Sequence, residues 1–281
     1  MIGVNRYIMR FIKLGSSYFF KNSWWTLLIW LLPSVFAGFL IGPFQIVSFM
    51  NVYPGTAITG FSDIFTILMP FSWLKVVFII LGILLVSIFL CMAIGEAESH
   101  MRSGKLKFKE IFSYVNNDIL VTLVNILLIV VVYAILTFLL GSILFLMHLL
   151  LSGLTNAPTI LNIIIAIVFC VITIVLFTFA VLLFLINIPN MISNGYSFKE
   201  GISSTMQLIS KNTFKLLTAY LVPYVVIIPF VSGLCRTNVL WVANIVCFLI
   251  TMAYYSCLTM TSYYELSNTN RYDNRKYYNY K

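Results

Sequence analysis

The sequence predicts an all-α integral membrane protein. Its six transmembrane helices are expected as three units, each an interfacial helix followed by two spans, with both termini in the cytoplasm. Three observations predict this. The 281 residues are 61% hydrophobic and 9% charged, with a mean hydropathy of +1.02, whereas a soluble domain carries about 25% charged residues. So few charges cannot cover a water-facing surface, so the solvent must be lipid. Six apolar stretches follow one another along the chain, each about 20 residues or more and so able to cross roughly 30 Å of hydrocarbon. Lys and Arg then fall on alternate connections.

The expected spans are 24–42, 73–95, 119–151, 160–188, 214–231 and 239–263. The third and fourth are longer than a bilayer needs, and must tilt, kink or project from it. The segment before span one carries Arg6, Arg10, Lys13 and Lys21. The connection after span two carries Arg102, Lys105, Lys107 and Lys109. Lys199, Lys211 and Lys215 precede or open span five, and Arg271, Arg275, Lys276 and Lys281 follow span six. These are fifteen of the 17 basic residues; Lys75 and Arg236 alone fall on the other side. Basic connections stay in the cytoplasm, which puts both ends of a multi-pass plasma-membrane protein there. The formal charge of +9 then faces anionic headgroups, and no nucleic acid is expected as partner. The first twenty residues show no small-residue cleavage site, so span one is expected to act as its own insertion signal.

An internal repeat organises these spans. "KNSWWTLLIWLLP" ending at Pro33 returns as "KNTFKLLTAYLVP" ending at Pro223, which pairs Lys21 with Lys211, Asn22 with Asn212, Ser23 with Thr213 and Pro33 with Pro223 at one offset. "FKEIFSYVNND" from Phe108 likewise echoes "FKEGISSTMQLISKN" from Phe198. At 100° per residue each stretch before an odd span is amphipathic. Phe11, Ile12 and Phe19 oppose Arg6, Arg10 and Lys13; Phe108, Ile111, Phe112 and Val115 oppose Lys109, Glu110, Ser113 and Asn117; Phe198, Ile202, Met206 and Ile209 oppose Lys199, Glu200, Ser203 and Gln207. Each is expected to rest in the headgroup plane, apolar face down. The repeats would run over about 5–95, 105–190 and 197–266 of a single domain, 1–266, followed by a basic, Tyr-rich cytoplasmic tail, 267–281. At the joints where a span begins, Asn22 with Ser23 and Asn212 with Thr213 are expected to cap free backbone N–H groups. Lys21 and Lys211 would reach to phosphates, Trp24 and Trp25 would join the aromatic belt, and Pro33 and Pro223 would kink their spans.

The remaining polar features are read against that frame. The outer connection 43–72 holds Pro43, Pro54, Gly55, Gly60 and Pro70 and is expected as a turn-rich cap. Its apolar portion is too short to span and suits a re-entrant or interfacial piece. Asn125, Asn187 and Asn244 lie within spans and require hydrogen-bond partners there. The mid-membrane region carries no charge, which argues against proton- or ion-coupled transport. Glu96 and His100 stand four residues apart with Glu98 between them, a spacing that could offer two ligands on one helix face. A solvated helix end is the expected reading, with these acids and Glu265 pairing with the basic helices. His148 falls at the outer end of span three. Five scattered cysteines, Cys91, Cys170, Cys235, Cys247 and Cys257, form no C-x-x-C pair, so neither a disulfide framework nor a zinc site is expected. No phosphate loop, H-E-x-x-H, G-x-S-x-G or dinucleotide fingerprint occurs. No catalytic, cofactor-binding or metal residue is therefore assigned, and no cofactor.

"NGYSFKEGISSTMQLISKNTF" (194–214) and "SGKLKFKEIF" (103–112) resemble a pattern found before odd spans in bacterial six-helix membrane proteins, including the membrane domain that precedes glycerophosphoryl diester phosphodiesterases. The resemblance implies a six-helix membrane domain. It carries no catalytic residues, because that family's catalytic domain has no counterpart here. Mitochondrial carriers share the count of spans but not the motif: "PSVFAG" and "PYVVII" lack its charges. The expected function is that of a non-enzymatic, accessory or lipid-interacting plasma-membrane protein, with anionic headgroups and a membrane-protein or ATPase partner. Two alternatives are a permease subunit of an ABC-type exporter and an intramembrane lipid-modifying enzyme built on Glu96, Glu98 and His100.

Overall fold

The structure, a computed structural model, describes residues 2–53, 60–68, 72–152, 159–235 and 237–272. The described residues form helices and turns, with no strand. The helices are α1 (Ile2–Phe36), α2 (Gln45–Val52), α3 (Phe61–Leu68), α4 (Trp73–Ser103), α5 (Ile111–Ser152), α6 (Thr159–Asn194), α7 (Phe198–Ser210), α8 (Thr213–Leu221), α9 (Tyr224–Leu234) and α10 (Leu240–Leu266). Six stretches are long and apolar enough to cross a membrane: α1 with its continuation, α4, α5, α6, the pair α8–α9, and α10. The expected all-α class with six helices long and apolar enough to span is thus observed.

The expected start of span one is corrected. α1 runs unbroken through Lys21, Asn22 and Ser23, so no helix begins there and nothing is capped. The polar side chains bond back into the same helix: Asn22 Nδ2 donates to the Tyr18 carbonyl at 3.0 Å, and Thr26 Oγ1 donates to the Asn22 carbonyl at 3.2 Å. Residues 11–19 turn one face to the protein, where Phe11, Tyr18 and Phe19 are buried, and leave Lys13 exposed. The second expected interfacial helix is also absent as a separate element. Phe108–Glu110 forms one 3-10 turn and leads directly into α5. Only α7 is a discrete helix before a span. Its start follows from "SFKE": the Ser197 backbone N–H and hydroxyl both donate to Glu200 Oε2, at 3.0 and 2.6 Å.

Pro33 lies inside α1, and a π-helical turn (Ala37–Ile41) follows it, closed by Gly42 at φ +69°. Pro223 divides span five into α8 and α9. Pro189 falls inside α6, which continues to Asn194 rather than stopping at 188.

α1 and α10 lie antiparallel along much of their length. Arg10 pairs with Glu265, Phe19 meets Tyr254 and Phe39 meets Trp241. Close backbone approach makes this contact possible. A Cβ on Gly38 would stand 2.5 Å from the Ile245 nitrogen and 2.6 Å from its Cα. One core cluster joins α1, α4, α6, α8 and α10 around Trp25, Trp30, Leu90, Leu182, Tyr220 and Leu258. The second lies toward the Lys75 end and includes residues of α2 and α3. α2 and α3 place Val47, Phe49, Ile64 and Leu68 against α5, α6 and α9, each nearly or fully inaccessible. α2 and α3 are therefore helices that each bury one face, while Phe61, Ser62 and Thr66 of α3 stay exposed; Pro54, Gly55 and Pro70 lie outside the described residues.

Beyond α10 the chain folds back across the bundle. The Tyr272 N–H donates to the Met101 carbonyl at 2.8 Å, and the Arg271 guanidinium stands over the Tyr18 ring at 5.5 Å. The first residues of the expected tail thus belong to the bundle; residues 273–281 lie outside those described.

Candidate functional site

Charge places the site. From Thr26 to Phe36, and through the middle of α4, α5, α6, α9 and α10, no Asp, Glu, Lys or Arg occurs. The charges collect at the helix ends, and most lie at the end where α1 begins and α10 finishes. Three groups of polar residues lead there from the interior.

The first is neutral and buried. Asn187 on α6 donates to Asn125 Oδ1 on α5 at 2.9 Å, and Thr205 on α7 donates to Asn187 Oδ1 at 3.1 Å. Asn190 Nδ2 donates to Thr205 Oγ1 at 2.9 Å. Asn194 continues the line, donating to Asn190 Oδ1 at 3.0 Å and Tyr263 Oη at 3.4 Å. This network docks α7 on α6. Gly201 allows the approach, since a Cβ there would come within 2.9 Å of Asn187 Oδ1. The apolar residues predicted to lie on lipid face the protein only in part: Ile209 is buried and Met206 exposed. Asn187 and Asn125 were legible as intramembrane amides. Asn190, Asn194 and Thr205 were missed, because span four was ended at 188; the readable signal was a run of Asn at 187, 190 and 194 with helical spacing. Asn244 is buried apart from this network, beside Gly42, where its Nδ2 would lie 3.7 Å from an added Cβ.

The second group is the basic-end portion of α4. Glu96 and His100 do not converge. Glu96 accepts the Lys107 backbone N–H at 2.5 Å, while the His100 Nδ1 bonds to Tyr18 Oη at 2.9 Å. Glu98 pairs with Arg102 at 2.7 Å. These residues fasten the 104–107 turn and α1 to α4. The expected solvated helix end is corrected for Glu96, which is fully buried. Among the described residues no group of three or more His, Cys, Asp or Glu gathers at metal-binding distance. The cysteines behave as packing residues: Cys91, Cys170, Cys247 and Cys257 are buried, and Cys91 Sγ lies 3.0 Å from Thr122 Oγ1.

The third group forms a cavity of about 440 Å³ between the start of α1, the α7–α8 joint and the end of α10. Arg10, Lys211, Lys215, Asn212, Gln207 and Glu265 contribute its polar lining. Arg10 is held by Glu265, and Lys215 Nζ donates to Asn212 Oδ1 at 3.0 Å. Asn212 thus stands at the start of α8 as expected, but its side chain binds Lys215 and caps nothing. Thr213 Oγ1 also turns away from capping, toward the Ile209 carbonyl at 2.9 Å. Of the two stretches read as joints, only 211–213 falls between two helices, and its Lys211 and Asn212 line this cavity. At the other end of α7, hydrogen bonding from Ser197 holds the Glu200 carboxyl below its ordinary pKa.

Comparison with protein-family models, with curated proteins and with solved structures finds no match to this chain.

Proposed function

We propose that this chain is a non-enzymatic, multi-pass protein of a bacterial plasma membrane that associates with anionic lipid at its cytoplasmic face. The observation that carries this is the partition of polarity. The bundle's middle is free of Asp, Glu, Lys and Arg, with Asn187 bonded to Asn125 and Thr205, and most cations gather at one end, where three of them line a cavity. A coupled transporter needs ionisable groups along its path, and the middle of these spans has none. A lipid-modifying enzyme needs a converging reactive set, whereas Glu96 and His100 each serve a separate structural bond. An end rich in Lys and Arg suits the cytoplasmic leaflet on charge grounds, and both termini belong at that face in this reading. The likeness of 194–214 to the membrane domain of bacterial glycerophosphoryl diester phosphodiesterases supports the same kind of architecture without an activity.

The test is native mass spectrometry of the full chain extracted from a bacterial membrane. Anionic phospholipid should be retained in excess of its share of the extract. Retention in proportion to the bulk lipid would remove the reading, and stoichiometric capture of a nucleotide-binding subunit would replace it with the exporter alternative.

A further inference from the structure

We infer that the cavity between α1, the α7–α8 joint and α10 is a binding site for a phosphate-bearing anion, with Lys211 and Lys215 as its principal contacts. The inference rests on the lipid-associated reading above and gives it a location. Three cations and one carboxylate line the cavity, leaving a surplus of two positive charges. The carboxylate is already engaged, since Glu265 pairs with Arg10. That ion pair fixes the guanidinium at the wall and leaves its other N–H donors to a ligand. Lys215 is likewise held, by Asn212, so two of the three cations are positioned before any ligand arrives. A volume of about 440 Å³ admits a phosphate with a glycerol-sized substituent. Asn212 and Gln207 add neutral polar groups that suit hydroxyl or ester oxygens.

The backbone contributes as well. α8 begins at Thr213 without a side-chain cap, so its first N–H groups add a partial positive charge next to Lys211. Phe214, the next residue on α8, is 77% exposed on the apolar surface. A headgroup seated between Lys211 and Lys215 would lie one residue along α8 from this exposed ring. That continuity favours a phospholipid as the source of the phosphate. Free phosphate or a soluble phosphoester offers the same chemistry, and the test separates them.

The full chain is placed in nanodiscs of phosphatidylcholine alone or with added phosphatidylglycerol, and its thermal midpoint is measured. A parallel arm adds inorganic phosphate to the phosphatidylcholine discs. Phosphatidylglycerol should raise the midpoint of the native chain and of Lys105→Gln/Lys109→Gln, which removes two exposed lysines elsewhere on the basic end. Lys211→Gln/Lys215→Gln should lose the shift, with apparent affinity for the lipid falling about fivefold for each lysine. Stabilisation by inorganic phosphate alone, lost in the same variant, would assign the site to a soluble phosphoester. Equal loss in both double variants would mean diffuse surface attraction and would overturn the site while leaving lipid association intact. No lipid-dependent shift in the native chain would remove both. Should Lys211→Gln/Lys215→Gln fold poorly, Lys211→Arg/Lys215→Arg, which keeps the charge, must restore the shift.

Discussion

Asn187 has no water to turn to. It bonds to Asn125, and it receives the Thr205 hydroxyl from a third helix. Replacing it by Leu strands two buried partners. One interhelical hydrogen bond in a bilayer contributes about 0.6 kcal/mol on average, and an orphaned buried polar group costs about 1–3 kcal/mol. Asn187→Leu should therefore destabilise the chain by about 1–3 kcal/mol, read as a lowered midpoint in denaturing mixed micelles. Asn22 is the contrast. It is buried, yet its side chain bonds only within its own helix. Asn22→Ala orphans no partner on another helix and should cost less than Asn187→Leu. Equal losses in the two variants would refute this division. The pair also shows what a sequence conceals. An asparagine in an apolar run is legible as needing a partner. Whether it reaches another helix or folds back on its own depends on packing, and residues 20–33 look alike in both cases.

At the scale of elements, the six spans were legible because a bilayer imposes a length and a composition. Their boundaries were less so. α1, α4, α5 and α6 run on past the hydrophobic windows, because a helix in contact with other helices stops at a breaker rather than at the edge of the lipid. The repeat misled at its first joint for the same reason: "KNS" and "KNT" are chemically equivalent, but only the second follows a helix that turns back onto α6. Helix packing itself turns on glycines the sequence does not single out. Gly38 meets the Ile245 backbone, whereas Gly233 has no atom within 4 Å of an added Cβ. Gly38→Ala must push α1 from α10 and should lower the yield of folded protein or its midpoint markedly. Gly233→Ala should be neutral or stabilising, by up to about 1 kcal/mol, because alanine favours an exposed helix. Thermal unfolding in one detergent compares the two directly, and a larger loss at Gly233 would contradict the packing described.

At the scale of the whole molecule, closure of the bundle depends on its two ends. α1 is the first helix and α10 the last, and they share the most extensive interface between any two helices. That interface joins the two ends of the chain, and the Arg10–Glu265 pair closes it on the basic end. This geometry ties the position of one terminus to the other. α4 runs from Lys75 at the far end to His100, which bonds Tyr18 of α1, so Ser72 stands opposite both. If the basic end is cytoplasmic, a fluorescent protein fused after Lys281 should be bright, and alkaline phosphatase fused after Ser72 should be active. An inverted chain gives the reverse at both sites. A chain whose termini lie on opposite faces would be bright with the fluorescent protein fused at one terminus and dark with it at the other, and would break the α1–α10 contact. Moving charge supplies the sharper control. Retention of cytoplasmic connections depends on nearby Lys and Arg, and the 102–109 connection carries four of them. Replacing Arg102, Lys105, Lys107 and Lys109 by Gln should produce a mixture of orientations. That outcome would show that the asymmetry of charge, and not the packing of the finished bundle, sets which face meets the cytoplasm.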